Sequence, residues 1–84
     1  MGLENKLIKD FLVALNDMSD GHSNFTVEDM QLNSPELLSA YNLQDLRHCA
    51  KYLVDGGYIQ ASSDAYYIMF VKPSGMAYLE SLKG

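Results

Sequence analysis

Tryptophan is absent, cysteine occurs once, and the whole chain carries only six lysines and arginines. With Cys49 alone, no disulfide can close within the chain, so the usual staple of small secreted domains is excluded and a cytoplasmic protein is expected. A structural zinc site needs about four suitably spaced ligands, and one cysteine with His22 and His48 falls short. No metal and no cofactor are expected. Nowhere do eighteen apolar residues run together, and Met1-Gly2-Leu3-Glu4-Asn5-Lys6 lacks a basic region followed by an apolar stretch. Neither a membrane span nor a signal peptide is therefore read. The scarcity of cations against eleven acids leaves a net charge of −5, which argues against a general nucleic-acid binder, because non-specific affinity comes from lysines and arginines displacing counterions from phosphates.

The composition is nevertheless that of a folding chain: 48% of its 84 residues are hydrophobic, six are tyrosine and three phenylalanine. A chain this short stabilises one core, so residues 1–84 form one domain. The excess acidity lies in its first half. Glu4, Asp10, Asp17, Asp20, Glu28, Asp29 and Glu36 face only Lys6 and Lys9, whereas Arg47, Lys51, Lys72 and Lys83 balance Asp45, Asp55, Asp64 and Glu80.

Leu3, Leu7, Ile8, Phe11, Leu12, Leu15 and Met18 recur at intervals of three and four, the stripe of an amphipathic helix. Asp20-Gly21-His22-Ser23-Asn24 supplies a turn after it, with Gly21 as a terminator. Phe25-Thr26-Val27 is β-prone, although Thr26 with Asp29 three residues on also has the form of a helix cap, so a short strand or turn is expected. In Ser34-Pro35, serine suits a helix cap and proline the first helical position, which predicts a second helix from about Pro35 to Tyr41. Asn42 caps a third, with Leu43, Leu46, Cys49, Ala50, Leu53 and Val54 on its apolar side and Gly56-Gly57 at its end.

Tyr58 to Ala61 and Tyr66 to Val71 are rich in β-branched and aromatic residues and flank Ser62-Ser63-Asp64-Ala65, so they predict a hairpin. Centring its turn between Ser63 and Asp64 puts Ile59, Ala61, Tyr66, Ile68 and Phe70 on one face. The other carries Tyr58, Gln60, Tyr67, Met69 and Val71. Pro73 opens a last helix with Met76, Leu79 and Leu82 inward. The fold class is α+β: a three-helix core, a β-hairpin wing and a C-terminal helix, with no internal repeat.

Two stretches resemble winged helix-turn-helix proteins. Residues 46–59, Leu-Arg-His-Cys-Ala-Lys-Tyr-Leu-Val-Asp-Gly-Gly-Tyr-Ile, look like a recognition helix entering a wing, and residues 70–82, Phe-Val-Lys-Pro-Ser-Gly-Met-Ala-Tyr-Leu-Glu-Ser-Leu, look like a second wing strand and closing helix. Similar pairs occur in MarR- and PadR-like regulators and in small winged-helix proteins of Gram-positive bacteria and their prophages. The resemblance implies a cytoplasmic, DNA-binding transcriptional regulator. Two departures stand out: Lys72 occupies the place where such families usually carry threonine before the proline, and the wing tip has neither lysine nor arginine.

If the helix between Asn42 and Gly56 enters a major groove, Gln44, Arg47, His48 and Lys51 are its contacts, with Arg47 suited to guanine, Gln44 to adenine and Lys51 to phosphate. The bland alternative is a solvated helix face on which Asp45 and Asp55 cancel the two cations. A homodimer would double the few cationic contacts. Tyr58, Tyr67, Met69 and Val71 are the candidate interface, unless the last helix folds across them.

The sequence assigns no catalytic role, so an enzyme is not expected. His22 lies in a loop, while neighbouring His48 and Cys49 point apart on a helix, and Cys49 suits the core. Gly56-Gly57 lacks the pattern of a phosphate loop, and Glu28 and Asp29 have no companion acid fixed by a motif. Two functions remain. One is a DNA-binding regulator acting as a dimer; the other is an acidic winged-helix module that contacts a protein, in one form by mimicking DNA.

Overall fold

The computed structural model describes residues 4–83. Its order is α1 (Asn5–Met18), α2 (Val27–Asn33), α3 (Pro35–Leu38), α4 (Leu43–Asp55), β1 (Ile59–Ala61), β2 (Ile68–Val71) and α5 (Pro73–Lys83). This α+β arrangement of five helices and an antiparallel hairpin, among the described residues, is compatible with a winged helix.

The stripe read along α1 is the centre of the core: Phe11, Leu12 and Leu15 are fully buried, beside Leu7 and Ile8. Leu3, expected to begin this stripe, lies outside the described residues. The helix packs on α3, α4, α5 and β2, so every layer meets on its apolar side. Its end comes before the anticipated glycine. Met18 is its last residue, and Gly21 turns the chain afterwards at φ 83°.

Both features seen in Phe25-Thr26-Val27 are present together. Phe25 exchanges two hydrogen bonds of 2.7 Å with Ile68, adding an isolated antiparallel bridge to the hairpin. One residue later Thr26 caps α2: its hydroxyl accepts the Asp29 amide, and the Asp29 carboxylate accepts the Thr26 amide, each at 3.1 Å. The single second helix expected over Pro35–Tyr41 is thus corrected to α2 followed by one turn of α3. Pro35 does occupy the first turn of α3, but the Ser34 side chain makes no cap bond; its carbonyl accepts from Leu37 and Leu38 instead. Gln31 ties the segment together by donating to the carbonyls of Leu38 and Tyr41.

Asn42 caps α4 as expected, accepting the Asp45 amide at 2.8 Å. Leu46, Cys49, Ala50 and Leu53 are fully buried beneath it. Gly57 takes the left-handed conformation at φ 76°, which turns the chain into β1.

The hairpin register differs from the expected one. Ile59 faces Val71, Gln60 faces Phe70 and Ala61 faces Ile68, with Met69 the extra residue of a bulge. The bulge reverses the alternation within β2, so Ile68 and Val71 both turn toward the core with Ile59. Val71 therefore leaves the predicted outer face, and Phe70 leaves the inner one to lie opposite Gln60. The longer turn has a physical cause in its own hydrogen bonds. Asp64 Oδ1 accepts from the Ser62 hydroxyl and the Tyr66 amide, and the Ala65 amide donates to the Ser62 carbonyl, with Ala65 at φ 61°. Ala65 is buried there, whereas Tyr66, expected inside, is half exposed.

Along α5, Leu79 is buried and Met76 and Leu82 pack against the core, as the spacing predicts. The helix also covers part of the hairpin: the Tyr78 ring lies 4.6 Å from that of Tyr58. No described helix is long and apolar enough to cross a membrane.

Candidate functional site

The 3.6-residue period of α4, which buries Leu46, Cys49, Ala50 and Leu53, turns Gln44, Arg47, His48 and Lys51 outward, and all four are exposed. The structure therefore brings the predicted contact residues onto one side of one helix. It also gives both cations acidic partners. Arg47 Nη2 lies 2.6 Å from Glu28 Oε2, and Lys51 Nζ lies 2.9 Å and 3.1 Å from the two oxygens of Asp55.

The Arg47 pair has a structural origin. The capping box of Thr26 and Asp29 starts α2 at Val27, placing Glu28 in its first turn, and α2 packs on α4. The hairpin tip closes the space alongside. A cleft of about 80 Å³ results, lined by Val27, Glu28, Arg47, Asp64, Ala65 and Tyr66. Glu28 Oε1 is buried against the protein without a hydrogen-bond partner, so this carboxylate has one engaged oxygen and one orphaned oxygen. Such an atom is costly in a folded protein unless a donor reaches it.

Around this face stand Glu28, Asp45, Asp55 and Asp64 against Arg47 and Lys51, so the surface is acidic on balance. The tip contributes no cation; it presents Tyr66 and Tyr67, half exposed, with rings edge to face at 4.8 Å. The candidate interface of Tyr58, Tyr67, Met69 and Val71 is not one surface. Tyr58 is stacked on α5, Val71 packs inward, Met69 sits at the bulge, and Tyr67 alone among them is exposed.

The seven acids of the first half do not form one field. Asp10 is buried, accepting from Lys6 and from the Tyr41 hydroxyl at 2.8 Å each, and Glu28 is engaged by Arg47. Asp20 is occupied by its own loop: bonds from the amides of Ser23 and His22 and from the Ser23 hydroxyl hold its carboxyl down at about 2. Glu4 and Asp17 lie at opposite ends of α1, roughly 20 Å apart by helical rise. A contiguous DNA-like array is absent among the described residues.

Cys49 is buried beneath α4, and desolvation pushes its thiol up to about 12, which leaves no thiolate for nucleophilic chemistry near neutral pH. His48, beside it in sequence, points to solvent. No group of three histidine, cysteine, aspartate or glutamate side chains is placed to hold a metal among the described residues.

Sequence reasoning missed Glu28 and the cleft. The signal was there in Thr26-Val27-Glu28-Asp29: once this is taken as a capped helix start, Glu28 falls in a first turn facing the next helix. The tip residues had no comparable signal, because their place depends on the bulge. Searches of protein-family models, curated proteins and solved structures found no match to this chain.

Proposed function

We propose that this chain is a non-enzymatic winged-helix module whose surface, formed by α4 and the hairpin tip, binds another protein. One observation carries the choice of partner: each cation of the exposed α4 face is already matched by an acid of the chain, and the tip adds Asp64 and two tyrosines rather than a phosphate-binding lysine or arginine. A phosphate approaching Arg47 or Lys51 must displace Glu28 or Asp55 and then meet those carboxylates. Exposed tyrosines, in contrast, are favourable in protein interfaces because they bury much area with little loss of side-chain freedom. The contact does not mimic DNA, since the acids of the first half are divided between the core, an ion pair and a loop.

The exposed row of Gln44, Arg47, His48 and Lys51 favours a second reading, a DNA-binding regulator acting as a homodimer. Exposed ion pairs are worth about 0–1 kcal/mol and can be exchanged for phosphates. That reading requires two copies of α4 about 34 Å apart, matching successive major grooves.

Titration of a labelled duplex pool from the neighbourhood of its own gene, at about 20 mM salt, separates the two. Protein contact predicts no saturable binding even though low salt favours phosphate contacts. Saturable binding that falls steeply with salt and is lost in Arg47→Ala and Lys51→Ala would replace the first reading with the second.

A further inference from the structure

An aspartate followed by glycine is prone to backbone rearrangement, because glycine sets no side chain in the way of its own nitrogen. The chain has two such pairs, Asp20-Gly21 and Asp55-Gly56, and no asparagine followed by glycine. The fold treats them differently. Gly56 belongs to the end of α4: its amide donates to the Tyr52 carbonyl at 3.0 Å, and the next two amides bond back to Val54 and Leu53. A methyl group on Gly56 would run into the Tyr58 ring, so this glycine has little room to shift. Gly21 lies in the exposed loop between α1 and Phe25, where a methyl group would meet nothing within 4 Å. Its amide makes no hydrogen bond among the described residues. Asp20 is restrained at the other reacting group: Oδ1 accepts the amides of His22 and Ser23, and Oδ2 accepts the Ser23 hydroxyl at 2.8 Å.

We propose that Asp20 is the site at which the folded chain rearranges to isoaspartate, and that the Ser23 side chain is what slows it. The Gly21 nitrogen attacks the carboxyl carbon of Asp20, the hydroxyl of the acid and the hydrogen of the amide leave together as water, and a five-membered imide forms. Water then adds to the imide and breaks either of its two carbon–nitrogen bonds. One break returns aspartate; the other gives isoaspartate, of equal mass, with the main chain rerouted through the side-chain methylene. At Asp55 the nucleophile is withdrawn into the last turn of a helix anchored by buried Leu53. At Asp20 the nucleophile is free and only the carboxyl is held, ionised and therefore a poor electrophile, by bonds that water can replace. Such surface bonds open far more often than a packed helix end. The product would carry an extra backbone carbon between α1 and Phe25 and move the carboxylate away from the His22 and Ser23 amides. Phe25 holds Ile68 only two residues further on, so the change reaches the hairpin whichever partner the α4 face takes.

The test ages the full chain at physiological temperature and neutral pH, folded and, in parallel, unfolded in guanidinium chloride. Isoaspartate is located at each time point by peptide mapping with electron-transfer fragmentation. The unfolded sample gives the intrinsic rate of each aspartate. Relative to that rate, Asp20 in the folded chain is expected to convert about fivefold faster than Asp55. Ser23→Ala, which keeps every backbone donor of the loop and removes the hydroxyl from Oδ2, should speed Asp20 about threefold and leave Asp55 unchanged. Ser23→Thr restores the hydroxyl and should return the slow rate, while a dispersed amide spectrum shows that each variant is folded. Three results would each overturn the proposal: Asp55 converting as fast as Asp20 on this scale, no isoaspartate at Asp20 in the folded chain by the time the unfolded one is fully converted, or a rate at Asp20 indifferent to Ser23→Ala.

Discussion

At Gly75 the first turn of α5 passes the chain just before β1 so closely that a methyl group would collide with the Tyr58 carbonyl oxygen and lie 2.7 Å from Val71 Cγ1. Neither neighbour is free to yield, since one is backbone and the other packs on the core. Gly75→Ala is expected to cost about 1–3 kcal/mol in urea unfolding, with a shifted midpoint and an unchanged slope. Gly57 differs in kind: an added methyl would meet open space, and the penalty comes from φ 76° alone, so Gly57→Ala should cost about 1 kcal/mol. Asp20 provides a pH signature. Its carboxyl is held at about 2 against an ordinary 3.8, so its contribution to the loop is present above that ordinary value and is lost as pH falls through about 2. Carbon-detected titration should place its midpoint near 2, with the amides of His22 and Ser23 moving over the same range.

The elements divide by how local their causes are. The stripe of α1, the Asn42 cap, the inward side of α4 and the proline start of α5 were legible because each depends on residues within a few positions. In contrast, α2 was hidden by a change of structure within two residues: Phe25 bonds to Ile68 as a strand, while Thr26 immediately caps a helix. Local propensity fitted both and could not divide them. The hairpin strands were legible, but the register was not, because two-residue centring assumes an unbroken alternation and Met69 breaks it. So the contact row on α4 could be read from the sequence, whereas the cleft beside it depends on α2 and the bulged tip together. Thr26→Ala removes one half of the capping box and should cost about 1 kcal/mol; because Glu28 depends on that helix start, the Arg47 side chain should become more mobile in relaxation measurements.

For the molecule as a whole, Ile68 is the residue where distant parts of the chain are joined. It faces Ala61 across the hairpin, exchanges hydrogen bonds with Phe25, and is fully buried. The Phe25 contact closes a loop of more than forty residues, whereas the helical turns and the α4 cap close over three or four, so the sheet has the larger entropy to overcome. Ile68→Ala should destabilise the fold by about 2–5 kcal/mol. If the helices assemble first, that loss should appear mainly as faster unfolding with refolding nearly unchanged, and a refolding limb slowed by the full amount would instead put the bridge in the folding nucleus. The tip that completes the cleft hangs from this same residue, so the binding surface would be among the last parts of a newly made chain to become competent.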